Sequence, residues 1–247
     1  RLMLHFAPAG RLPRGTTVIV GATLTWHGQR LAPEPAASDG TVAWSLNVAG
    51  QGAPVAARWS DLPGFFRMGF LHIVPEGIDH ILFVLGLFLL APGLRPLLVQ
   101  ITAFTLAHSL TLGLAMAGIF ELPARIVEPL IALSIVAVAV ENIFVRKLHP
   151  WRWAVVFLFG LVHGLGFAGA LRGLHLPTGG ILMPLLGFNL GVEAGQLSIV
   201  AAATLLTVAW WRRAWYPRYV LIPASAVIAA VGLFWAVQRG LGLGIEA

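Results

Sequence analysis

Residues 69–90, GFLHIVPEGIDHILFVLGLFLL, are apolar enough and long enough to cross a bilayer, yet they carry His72, Glu76, Asp79 and His80. A span needs roughly 20 mostly apolar residues, and one ionisable group near its centre costs at least about 2.5–3.5 kcal/mol. Such groups need partners. On a continuous helix advancing about 100° per residue, His72, Glu76 and Asp79 share one face, with His80 at its border. The remaining apolar segments are expected to supply what that face binds.

Composition places the chain in the same class. Charged residues make up 11%, hydrophobic residues 58%, and the mean hydropathy is +0.85, whereas about a quarter of the residues of a soluble domain are charged. This is the composition of a polytopic membrane protein. The formal charge of +6 reads as membrane topology and not as nucleic-acid binding. The Lys and Arg residues sit in short loops between apolar runs, with no basic face interleaved with aromatics. With no cysteine in the chain, any metal site must use His, carboxylate or amide ligands.

The expected fold is an all-α polytopic membrane bundle of six transmembrane helices preceded by a small β-rich extracytoplasmic module. Residues 1–64 form the module and 65–247 the transmembrane domain. Pro and Gly clusters in the first part separate β-prone runs at residues 18–26 and 41–48. This part reads as the remnant of a larger extracytoplasmic region, and the chain, which begins at Arg1 without a cleavable signal, as a processed or truncated product. The spans are expected at about residues 69–91, 97–119, 124–145, 153–172, 180–209 and 218–238. The fifth is longer than a bilayer requires and is expected to tilt, to kink near Pro184 or to begin as a re-entrant segment. Basic residues cluster at Arg146, Lys147 and Arg152 and at Arg212, Arg213 and Arg218. The positive-inside rule puts both clusters in the cytoplasm and leaves the module and the C-terminus outside.

Two short matches hint at an inverted repeat of three spans. GFLH at residues 69–72 resembles GLVH at 160–163, and FTLA at 104–107 resembles FNLG at 188–191. Such repeats, oppositely oriented in the membrane, are common in transporters.

Each of spans two to five carries polar residues of its own. Span two has Thr102, Thr105, His108, Ser109 and Thr111; the hydroxyls suit helix packing, while His108 suits a ligand or proton relay. Span three has Glu128 near its outer end and Glu141 and Asn142 near its inner end. Span four sets His163 among Gly160, Gly164, Gly166 and Gly169, a helix thin enough for close packing. Span five places Asn189, Glu193 and Gln196 on one stripe. Span six has no ionisable residue in its interior and reads as scaffold. These groups point to coordination of a cation or to coupled proton transfer.

The ordered segments GFLHIVPEGIDH, TAFTLAHSLTL, VEPLIALSI, ENIFV, FGLVHGLGFAGAL and GFNLGVEAGQL, spread over residues 65–211, resemble the HupE/UreJ family of hydrogenase and urease accessory membrane proteins. The likeness is to the branch with an extracytoplasmic N-terminal region. His72, Asp79 and His80 match that family's first His and Asp-His motif, and His163-Gly164 its later His-Gly motif. The resemblance implies nickel supply, a place in the bacterial inner membrane, and urease or hydrogenase maturation proteins as partners.

The expected function is transport of a divalent transition metal, nickel first, with cobalt and zinc accepting similar mixed N and O ligands. Asp79, His80, His108, His163 and Glu193 are expected to form the central site, with Asn189 and Gln196 orienting or hydrating the ion. His72, also a candidate ligand, Glu76 and Glu128 form its outer approach, and Glu141 and Asn142 its inner exit. The alternative is a zinc-dependent intramembrane hydrolase, in which three His and Asp79 hold the metal and Glu193 or Ser109 assists a bound water.

Overall fold

A computed structural model describes the backbone at residues 24–26, 29–31, 34–38 and 41–45, and side chains as well at residues 61–91, 93–145, 148–167 and 182–242. The chain divides into two compact units, Arg1–Val55 and Ala56–Ala247. In the first, β1 (Leu24–Trp26) pairs antiparallel with β2 (Gln29–Leu31), Leu24 opposite Leu31; β3 (Glu34–Ser38) pairs with β4 (Thr41–Ser45), Glu34 opposite Ser45. β1 and β4 fall within the two β-prone runs. Residues 18–23 and 46–48 of those runs lie outside the described residues, as do Arg146, Lys147, Gly169, the end of the expected fourth span and the first two residues of the fifth.

The second unit is helical: α1 (Leu62–Ile73), α2 (Ile78–Leu90), α3 (Leu94–Met116), α4 (Ala124–Phe144), α5 (Arg152–Gly166), α6 (Leu182–Thr207) and α7 (Ile222–Gly240). A π-helical turn, Pro217–Leu221, leads into α7. By length and composition α3, α4, α6 and residues 217–240 can each cross a membrane, and α1 with α2, bent by 71°, passes as a fifth crossing. Among the described residues this multi-pass membrane protein thus shows four or five candidate spans where the sequence reading expects six. The shortfall is α5, whose 15 residues extend only about 22 Å at 1.5 Å each.

The first expected span is not one helix. Pro75 disfavours helical backbone at the residue before it, and Val74 is accordingly extended (φ −132°, ψ 117°), so α1 stops at Ile73 and α2 restarts after Gly77. The shared face of His72, Glu76 and Asp79 therefore does not exist. Pro184, by contrast, breaks nothing. It sits in the first turn of α6, where its missing N–H removes no helical hydrogen bond, and the helix runs on to Thr207.

Three tight pairings organise the bundle: α1 with α6, α3 with α5, and α4 with α7. Glycines allow the first two. A Cβ on Gly69 would overlap the Phe188 backbone, and one on Gly191 the backbone of Phe66 and Phe70; a Cβ on Gly160 would lie 2.5 Å from the Phe104 carbonyl oxygen. With the bent α1–α2 pair counted as the first of six elements, every tight pairing joins one half of the chain to the other. Gly69 of the GFLH segment packs on Phe188 of FNLG, and Gly160 of GLVH packs on Phe104 of FTLA. A two-fold exchange of the halves maps these contacts onto one another, as an inverted repeat requires.

At the end of the bundle away from the Pro75 break, Leu90, Tyr216 and Leu221 pack together with Leu148 and Trp211 against them. There Arg152, 2% exposed, forms an ion pair with Glu141 at 3.1 Å and donates to Asn142 Oδ1 at 3.2 Å. The Asn142 amide in turn donates to the Gly86 carbonyl and to Ser225. Four helices are clamped by this network. Glu141→Ala would leave Arg152 buried with one polar partner fewer, so we expect a loss near the lower end of the roughly 3–5 kcal/mol seen for broken buried pairs. Arg152→Met, which removes the charge itself, should cost less. Thermal unfolding of the two variants in detergent checks the order.

Candidate metal centre

The break at Pro75 makes the centre possible. On a continuous helix His72 and His80 would be about 12 Å apart along the axis. With the chain bent, His72 in the last turn of α1 and His80 in the first turn of α2 face each other with ring centroids 4.8 Å apart. His108, in the middle of α3 and fully buried, lies 6.2 Å from the His72 ring and 6.1 Å from the His80 ring. One ligand nitrogen from each of the three falls within 4.8 Å of the others. Nitrogens bound to one ion at about 2.0–2.1 Å lie about 3–3.5 Å from each other, so small ring rotations close the set. The His163 ring is a further 5.0 Å from His80.

Neighbouring hydrogen bonds fix which nitrogen two of the rings, His108 and His163, present. Asn189 donates its amide to the Leu185 carbonyl and so turns Oδ1, 3.2 Å away, toward His108 Nδ1. An oxygen there accepts, so Nδ1 carries the proton and Nε2 keeps its lone pair. Ser134 donates its hydroxyl to the Ile131 carbonyl at 2.6 Å, leaving its oxygen to accept from His163 Nε2 at 2.9 Å. His163 Nδ1 then holds the lone pair. His72 Nε2, His80 Nε2, His108 Nε2 and His163 Nδ1 are all buried with no hydrogen-bond partner. Leaving one such group unsatisfied costs about 1–3 kcal/mol, and metal-binding histidines are commonly held as His108 and His163 are, with the second ring N–H committed to an oxygen.

Aromatic rings wall the cluster. Phe167 and Phe188 stand 4.0 and 5.5 Å from His72, and Phe104 and Phe83 stand 5.0 and 5.2 Å from His163. On one side the wall gives way to a cleft of about 480 Å³, lined by His72, Glu76, Asp79, His80, Glu128 and His163, with Arg239 reaching in from α7. Exposure falls inward, from Glu76 and Glu128 in the open, through a half-buried Asp79, to buried His80 and His163.

The other expected residues are distributed differently. Asp79 does not join the imidazoles: its carboxylate is paired with Arg239 at 3.0 Å. Glu193 accepts from Thr102 at 3.0 Å, and Thr102 lies between exposed Leu98 and Leu106 on the outer face of α3. Gln196 accepts from Thr105, which ties α6 to α3. Ser109, the other group a hydrolase would use, donates to the Thr105 carbonyl. Glu141 and Asn142 belong to the Arg152 clamp. Arg239 and Ser134 were missed. A lone serine in an apolar span looks like packing, and Arg239 stands just past the expected end of span six, although an unpaired Asp79 in span one called for a cation somewhere.

The model of the HupE / UreJ protein family matches residues 51–239. No curated protein and no solved structure is significantly similar to the chain. With the family motifs now set on membrane helices around a histidine cluster, and the match covering most of the sequence, the chain belongs to the HupE/UreJ family, membrane accessory proteins associated with nickel and cobalt transport for urease and hydrogenase.

Proposed function

We propose that this protein carries a divalent transition metal, nickel in preference to cobalt or zinc, across the bacterial inner membrane for urease or hydrogenase maturation proteins. The reading rests on the ligand nitrogens of His72, His80 and His108 lying within 4.8 Å of one another. Neutral imidazole is a good ligand for nickel, and no thiolate competes for a softer ion. The cation enters through the cleft, drawn by Glu76 and Glu128, and is held by the three imidazoles with His163 beside them. Asn189 and Ser134 orient His108 and His163, and the Arg152 clamp closes the opposite end.

Six crossings complete this reading, and residues 1–64 act as an extracytoplasmic module ahead of the membrane domain at 65–247. The cleft faces outward, because Arg212, Arg213 and Arg218 lie at the other end, beside exposed Trp210 and Trp215 of the kind that sit at a membrane surface. Inverted repeats are the arrangement in which alternating access around a fixed midplane site is usual. Uptake of radioactive nickel into proteoliposomes tests the proposal. Wild-type protein should accumulate the ion and His108→Ala should stay at background; equal uptake by both would end the assignment.

A further inference from the structure

Arg239 is the group in the cleft that the transport reading leaves unused. It sits in the last turn of α7, and its Nη2 donates to both oxygens of Asp79, at 3.2 and 3.0 Å. Nη1 lies 3.5 Å from the Glu128 carbonyl oxygen, and the guanidinium is 5.3 Å from the centroid of the Trp235 ring. Neither partner is sealed away, the side chains being 22% and 24% exposed. Three carboxylates and one guanidinium line this cleft, so its charged lining is predominantly acidic.

Asp79 and His80 line the same cleft, so a dication held by the His80 ring shares that cleft with the carboxylate that Arg239 already occupies. A dication and the guanidinium in one partly desolvated cleft repel each other, and both are drawn to the Asp79 carboxylate. We propose that Arg239 is a tethered competitor for the incoming metal: it holds Asp79 while the cleft is empty and is displaced from it when a divalent ion reaches the imidazoles. The pair is thereby a latch between α2 and α7 that opens on metal arrival. This inference rests on the metal reading of the histidine cluster.

Nickel titration calorimetry of the purified full-length chain in detergent tests it, with His80→Ala as the reference for the cluster. Arg239→Gln should tighten nickel binding by about tenfold or more. That gain should shrink in an Asp79→Asn background, where there is no carboxylate to release and only the repulsion between the cations remains. Arg239→Lys, which retains a cation, should remain near wild type. Unchanged or weaker binding in Arg239→Gln, with His80→Ala still losing nickel, overturns the latch and leaves the metal site standing; nickel binding that survives His80→Ala overturns both. A second measurement needs no variant. Phenylglyoxal should modify Arg239 of the wild-type protein faster with nickel bound than without it, as read by peptide mass spectrometry, and an equal rate would refute displacement.

Discussion

Replacing His80 by alanine is expected to weaken nickel binding by at least about a hundredfold. His80 is the hub of the centre: its ring stands 4.8, 6.1 and 5.0 Å from those of His72, His108 and His163. Its loss removes a ligand and separates His163 from the other two rings. Outer partners of metal-binding histidines are typically worth about 10–100-fold in affinity, and a direct ligand is worth more. Asn189→Leu provides the internal comparison. It leaves all four imidazoles in place but frees the His108 tautomer, and should weaken binding by about 10–100-fold. Equilibrium dialysis with nickel reads both. The account requires the order wild type, Asn189→Leu, His80→Ala.

The second large effect concerns the glycines at the crossed helix pairs. Gly69→Ala puts a methyl group onto the Phe188 backbone, and Gly160→Ala puts one 2.5 Å from the Phe104 carbonyl oxygen. Neither neighbour is a flexible side-chain end, so the helices themselves must separate. Overpacking in a close-fitted core commonly costs about 1–3 kcal/mol and sometimes more; backbone contacts at the centre of a bundle belong to the upper part of that range. The damage should reach the metal centre, since Gly69 and Gly160 each stand one turn before a histidine of the cluster. Gly64→Ala is the control on the same helix as Gly69. A Cβ there meets nothing within 4 Å, and alanine is the better helix former by about 0.8–1.0 kcal/mol. Thermal unfolding should show two variants well below wild type and the third at or above it.

How much of this was legible in the sequence depends on which physical term was in play. Buried imidazoles announce themselves, because a polar ring in an apolar run has few inexpensive explanations; His72, His80, His108 and His163 were all picked out, and they are the rings that meet. The carboxylates misled for the same reason. Asp79 and Glu193 looked as costly as the histidines, but a carboxylate can be satisfied by any cation or hydroxyl within reach, and Arg239 and Thr102 supply these from other helices. Pro75 was visible in the sequence, and its consequence was underweighted. Span length argued for one continuous helix, whereas the backbone restriction before proline broke it and brought His72 to His80. The repeat was faint as text, four residues against four. It gains weight in three dimensions, where GFLH and GLVH each lie against the other half's Phe-containing segment.

X-ray absorption spectroscopy of the nickel-loaded, full-length protein tests the central claim most directly. The account predicts one nickel per chain with at least three imidazole nitrogens in its coordination shell, and loss of that imidazole signature in His80→Ala. A nickel shell made only of carboxylate and water oxygens, unchanged by that substitution, would contradict it.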